Sequence, residues 1–247
     1  MRWEYPGDGD NLWDNRRERM IEALRAWNVD ALGVQEPLAR QLRETLAGLP
    51  GYEFVGVGRD DGDAGGEYSA ILYKAARLSP RQSGTFWLSE TPETPGSRYP
   101  GCHHARICTW ARFEDASGGR AFYHFNTHLD HEVQQAREYG VALILRRIGE
   151  IAPGQPVIVT GDFNTGPAGP EVQRMSAALR DVLAGAEREG TYHGFSGQAH
   201  PAPIDYIFVS EHWDVVHAEV RRGDGQKPYI SDHFPVAATL RLARPSS

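Results

Sequence analysis

The sequence predicts an α/β fold, a four-layer α/β sandwich of two packed mixed β-sheets flanked by helices. Three observations predict it. Short β-branched and aromatic runs recur between stretches whose apolar residues keep helical spacing. Those strand-like runs fall into two β-rich portions, each accompanied by helices. Polar residues that suit metal and phosphate chemistry stand where several apolar runs end. With 247 residues, 40% hydrophobic and 24% charged, the chain can bury a substantial core, and no composition shift marks a boundary, so one domain over 1–247 is expected.

The elements follow in order. Asp14 or Asn15 offers a cap to a first helix, Asn15 and Glu18 having capping-box spacing, and Met20, Ile21, Leu24 and Trp27 form its apolar stripe. Residues 31–34 read as a short buried strand that carries Gln35 and Glu36 at its end. A second helix shows Leu38, Leu42, Leu46 and Leu49 on one side and stops at the glycines of 48–51. Strands are predicted at 52–57, 68–73, 84–88, 107–113 and 121–128, with a Gly/Asp-rich loop at 58–66 and an irregular loop at 89–101. A helix over 132–151, a strand over 157–160 and a helix over 170–179 come next. Three strands close the chain, at 204–209, 215–220 and 236–242, the first two spaced as a near-hairpin.

Composition narrows the function. No apolar stretch approaches bilayer-spanning length and no secretory leader pattern opens the chain, so a cytoplasmic location is expected. The formal net charge of −7 weighs mildly against a large nucleic-acid substrate, which favours a basic face. The two cysteines make no disulfide framework. Cys102, His103, His104 and Cys108 lack the usual zinc-pair spacing, and Cys108 fits better as a packed strand residue.

Chemistry concentrates at the strand ends. Asn126, His128 and Asp130 alternate, which puts them on one face of an extended strand. Asp162 and Asn164 end the 157–160 strand, Asp205 begins another, Asp232 and His233 precede the apolar run from 234, and Glu36 follows Val34. Taken singly, each has a bland reading: a salt-bridged cap, a satisfied core histidine, an Asx turn. Together they make a set of carboxylates, amides and imidazoles that suits a hard divalent cation, Mg2+ or Mn2+, and a phosphoryl oxygen.

Five runs in order, Gly33-Val34-Gln35-Glu36, Asn126-Thr127-His128-Leu129-Asp130-His131, Gly161-Asp162-Phe163-Asn164, Ile204-Asp205-Tyr206-Ile207-Phe208 and Ser231-Asp232-His233-Phe234-Pro235, resemble the endonuclease/exonuclease/phosphatase superfamily, with its deoxyribonuclease I and exonuclease III fold. The stretches 56–62, 66–71 and 84–89 are similar to a bacterial branch grouped with deadenylase-like members. The resemblance implies Glu36 as principal metal ligand and Asp232 near a second metal position. It implies Asp162 as the residue that orients or deprotonates the attacking water, with Asn164 steadying it and the phosphate. It implies His233 on the phosphoryl group, oriented by Asp205, and His128 as a donor to the non-bridging oxygens with Asn126 in support. Arg59 is a candidate phosphate grip, and Glu67 of the neighbouring family-like stretch joins it as a candidate substrate contact. The family begins with a strand ending in an Asn-Ile-Arg-like turn. Here the chain starts Met1-Arg2-Trp3-Glu4-Tyr5, so that first strand is expected to be missing or shortened, and one metal-site amide with it.

The leading expectation is a metal-dependent phosphoesterase acting on a small or medium phosphate ester by in-line attack of water. A nuclease for single-stranded DNA or RNA is the alternative within the same chemistry, and needs a track such as Arg59, Arg98, Arg106, Trp87 and Tyr99. A non-catalytic binding domain, its turnover lost with the first strand, is the alternative of another class.

Overall fold

Eleven strands and four α-helices alternate along the computed structural model, which describes residues 5–185, 190–222 and 229–243. Helix α1 (Trp13–Trp27) follows a short 3-10 stretch at Pro6–Asn11. It starts ahead of Asp14 and Asn15, so neither caps it; its N-cap is Leu12, without a side-chain bond, and Asp14 instead accepts from Arg40 at 2.5 Å. The αL conformation of Asn28 (φ 50°) closes this helix. Strand β1 (Ala31–Gln35), helix α2 (Ala39–Ala47), β2 (Tyr52–Val55) and β3 (Ser69–Lys74) follow.

Strand β4 (Leu78–Trp87) begins earlier than its apolar signal. It lies at a sheet edge, where Pro80 is tolerated and a register shift falls between Pro80 and Gln82. Next come β5 (Ile107–Asp115), β6 (Ala121–His128), α3 (Gln134–Ile151), β7 (Val157–Asp162), α4 (Pro170–Ala178), the two-residue β8 (Arg180–Asp181), β9 (Asp205–Val209), β10 (Trp213–Val220) and β11 (Val236–Leu242).

These strands form a six-stranded mixed sheet in the order β4-β5-β6-β7-β9-β8, and two antiparallel pieces, β1-β3-β2 and β10-β11. Within the large sheet only β6 and β7 run parallel, and α3 makes the crossover between them. The near-hairpin expected of β9 and β10 is not formed: β9 pairs with β7 and β8, β10 with β11. The turn between them, residues 210–212, carries the chain from one sheet to the other.

Four layers result. Alternation along each strand sends Phe125, Val159 and Phe208 toward α3 and α4, where they meet Val141, Ile144, Val172 and Met175. Opposite-facing residues such as Phe113, Phe122 and Val209 pack against Ile71, Tyr73 and Trp213 of the other layer. That layer is covered by α1 and α2 through Trp13, Met20, Leu24 and Leu42 on Val34 and Leu72. The sheets approach so closely at Gly33 that a Cβ there would meet Thr160 Oγ1 and Asn126 Oδ1. Among the described residues no strand precedes α1; Met1–Glu4 lie outside them. β1 pairs there only with β3 and β11 only with β10, and both line a cleft of about 700 Å3 together with Phe122, His124 and Thr160. Among the described residues no helix is long and apolar enough to cross a membrane.

Candidate active site

Strand register builds the centre of the site. In the large sheet His128 stands opposite Asp162, and Asp162 opposite Asp205, so three polar side chains share one row across β6, β7 and β9. His128 Nε2 lies 3.5 Å from Asp162 Oδ2. His233, from the segment before β11, completes the group, with Nδ1 2.8 Å from Asp205 Oδ2 and Nε2 3.9 Å from Asp162 Oδ2.

The run Gly161-Asp162-Phe163-Asn164 places Asp162 by two local devices. Phe163 is fully buried against Tyr206 and Phe208 and fixes the strand end. Asn164 takes a left-handed conformation (φ 51°), and its N–H donates to Asp162 Oδ1 at 2.8 Å in an Asx turn. Its side-chain amide donates to Leu129 O at 2.9 Å, tying the ends of β6 and β7 together.

Charge divides this group sharply. Burial and the neighbouring Asp205 raise Asp162 to about 7, against the pull of His233 and the Asn164 N–H, and Glu36 adds to the rise. Burial alone would lower His233, but Asp205, Asp162 and Asp232 outweigh it and carry the imidazole up to about 10, so it is an imidazolium at neutral pH. His128 goes the other way: burial, then Arg106, Arg59 and His233, push it well below the ordinary value.

Across His128 lies a basic side. Arg59 makes a two-pronged pair with Glu67, its terminal nitrogens donating at 2.6 and 3.1 Å. Burial raises Glu67 to about 6 against Arg59, leaving the carboxylate ionised and paired at neutral pH. Arg106 donates to Asp130 at 3.4 Å and lies 2.8 Å from His131 Nδ1. The two residues expected to contact substrate, Arg59 and Glu67, are thus brought together as each other's partners.

Asn126 sits beneath the row, fully buried. Its amide nitrogen donates to Val34 O and Ala70 O, and its oxygen accepts from Gln35 Nε2 and Thr160 Oγ1, so it ties the two sheets under the site. Glu36 follows β1 with φ 69°, an uncommon backbone state for a non-glycine residue and one that recurs at functional sites. It lies within electrostatic reach of Asp162, Arg59 and Glu67. Asp232 is buried, and its carbonyl accepts the N–H groups of His193 and Gly194.

The donor set fits a divalent cation. Among the described residues Asp162, Asp205 and His233 bring three polar atoms within 4.8 Å of one another; the two aspartates are the cation donors, since His233 as an imidazolium offers no lone pair. Burial first, then Asp205 and, least, Glu36 raise Asp162, so the carboxylates are close enough to repel one another. Oxygen donors dominate the set, which favours a hard ion. The sequence reading missed Thr191 and Tyr192, which bond and pack onto the Asp205 and His233 segments. No motif spacing marks either residue; only their place in the fold does.

The sandwich carries its cluster of carboxylates and imidazoles at the ends of its central strands. The chain belongs to the Endonuclease/Exonuclease/phosphatase family, whose model matches residues 7–233. It is similar to the structure of an endonuclease/exonuclease/phosphatase from Bacteroides vulgatus, with 34% identity, 98% of this chain and 96% of that chain covered, and a TM-score of 0.92. It is also similar to a mannosyl-6-phosphatase from Bacteroides thetaiotaomicron, with 31% identity, 98% and 97% covered, and a TM-score of 0.91. An uncharacterized protein, L388, of Acanthamoeba polyphaga mimivirus is 28% identical over 160 residues, 62% of this chain; the match spans 59% of that viral protein.

Proposed function

We propose that this protein is a phosphoesterase, dependent on Mg2+ or Mn2+, that hydrolyses a phosphomonoester or phosphodiester of small or medium size. The observation that carries this reading is the single row His128, Asp162, Asp205 with His233 closing on both aspartates. When bound, a metal would be held by Glu36 and Asp232 beside the Asp162 and Asp205 carboxylates and would supply positive charge to the phosphoryl oxygens. Asp162 accepts a proton from water as the water oxygen bonds to phosphorus and the bond to the leaving oxygen breaks. His233, charged and held by Asp205, faces the growing negative charge with His128 as a neutral N–H donor.

Two observations support a small substrate. Three of the five residues that a nucleic-acid track would need are engaged inward, leaving Arg98 exposed and Tyr99 half-buried: Trp87, only 4% exposed, donates to Arg59 O, while Arg59 and Arg106 are 8% and 7% exposed and held by carboxylates. The similar Bacteroides protein whose name specifies a mannosyl-6-phosphatase favours a sugar phosphomonoester.

The test is hydrolysis by purified protein, stripped with chelator and then reloaded with Mg2+ or Mn2+. Its panel holds an aryl phosphomonoester, an aryl phosphodiester, mannose 6-phosphate, nucleotides and a single-stranded oligonucleotide. Metal-restored release of phosphate that Asp162→Asn abolishes is the expected result. Activity that survives chelation, or that Asp162→Asn retains, overturns the reading; preference for the oligonucleotide overturns the small substrate.

A further inference from the structure

His233 and Asp205 come from segments 28 residues apart, and their 2.8 Å contact requires two backbones to be held at a fixed separation. One buried residue is bonded to both. Thr191, with no exposed surface, accepts the N–H of Ile204 at 3.0 Å and of Asp205 at 3.1 Å on its hydroxyl oxygen. Its carbonyl accepts the N–H of Phe234 at 2.7 Å. The two residues that follow extend the connection. Tyr192 forms an isolated antiparallel bridge with His233, and the N–H groups of His193 and Gly194 donate to Asp232 O at 2.9 and 3.1 Å.

The Tyr192 ring adds a side-chain restraint. Its centroid lies 5.0 Å from that of His233, inclined at 61°, and equally 5.0 Å from that of the exposed His200. An edge-on aromatic neighbour at that distance restricts rotation of the imidazole about its own side-chain torsion. Hydrogen bonding at Nδ1 alone leaves that plane less defined.

We infer that Thr191 and Tyr192 are positioning residues for the His233–Asp205 pair: Thr191 sets the separation of the two backbones, and Tyr192 sets the plane of the His233 ring. Neither touches the reacting atoms. Their effect on turnover rests on the phosphoesterase reading, whereas their effect on ring geometry does not.

The test compares Thr191→Val, which keeps the shape and loses the acceptor, with Thr191→Ser, which keeps the hydroxyl. A parallel pair is Tyr192→Leu and Tyr192→Phe. Because a variant at a fully buried site can fold poorly, kcat is taken per folded molecule, with Val172→Ala in the distant α3–α4 core as a control for instability alone. Thr191→Val and Tyr192→Leu are expected to lower kcat about 10- to 100-fold with KM moving less than about 3-fold, as misplacement of a reacting group does. Thr191→Ser, Tyr192→Phe and Val172→Ala are expected to stay within about 3-fold of the parent.

Equal losses in the conservative and disruptive variants, or losses confined to KM, overturn the inference. A second arm needs no turnover and reads the NOE contacts from the His233 ring protons, assigned by their loss in His233→Gln, to protons outside residue 192. Those contacts are expected to change in Tyr192→Leu and hold in Tyr192→Phe, whereas chemical shifts alone would respond to the lost ring current. Changed contacts in a protein that hydrolyses no phosphate ester uphold the positioning and sink only the phosphoesterase reading. Contacts unchanged in Tyr192→Leu overturn the inference whatever the activity.

Discussion

His128 and His233 flank the same aspartate, 3.5 and 3.9 Å from Asp162 Oδ2, yet their surroundings drive them to opposite charge states. His233 lies among three carboxylates, Asp205, Asp162 and Asp232, and is held as a cation. His128 meets Arg106 and Arg59, with no carboxylate bond of its own shorter than the Asp162 contact, and is held neutral. The difference teaches that the imidazole is not what sets the role. Burial lowers both and is the largest cause at His128, where Arg106 and Arg59 add to it; at His233 three carboxylates outweigh it.

The sharpest way to break that comparison is to remove each ring. His233→Gln is expected to lower kcat about 1000-fold, since a charged donor and the partner of Asp205 are lost together. His128→Gln should cost about 100-fold or less, because a neutral amide donor replaces a neutral imidazole donor. Steady-state kinetics under saturating metal measure both, and a larger loss at His128 than at His233 would reverse the assignment.

A second test acts on the basic side. Glu67→Gln leaves Arg59, 8% exposed, without its carboxylate, and is expected to destabilise the fold by about 3 kcal/mol in chemical denaturation. With Arg59 no longer balanced, His128 should be pushed further from protonation. A variant as stable as the parent would show that the pair carries little.

The smallest expected effect concerns His124, a buried histidine outside the reaction centre. Its Nε2 lies 2.9 Å from Thr160 Oγ1, its Nδ1 has no hydrogen-bond partner, and burial lowers it from 6.5 to about 4. The unfolded chain therefore takes up that proton first on acidification. Its contribution is complete above pH 6.5 and is lost as pH falls toward 4. At pH 5.5 the parent should have lost about 1 kcal/mol more, relative to pH 7.5, than His124→Gln. Equal acid slopes in thermal melts of the two proteins would contradict it.

Much of this site was legible because strand ends are legible. Apolar runs ending in Asp162, beginning at Asp205 or preceding His233 put those residues at one end of the sheets before any pairing was known. Register could not be read. That His128, Asp162 and Asp205 share a row follows from pairings between strands far apart in sequence. Local spacing misled at residues 204–220, where β-type runs at 204–209 and 215–220, five residues apart, suggested a near-hairpin, while tertiary packing sent them to different sheets. It misled again at α1, whose start at Trp13 is fixed by that residue's burial against the second sheet rather than by the polar residues after it. Thr191 was invisible for a different reason. Its role lies in backbone bonds to Asp205 and Phe234, and a threonine in a loop announces none of that.

The most direct test of the two-histidine account is nitrogen-15 NMR of the imidazoles in the metal-free protein at neutral pH. His128 and His233 are assigned by the resonances that His128→Gln and His233→Gln remove. The account predicts an imidazolium at His233, with both ring nitrogens protonated, and a neutral ring at His128, with one. A neutral His233 or a charged His128 would contradict it.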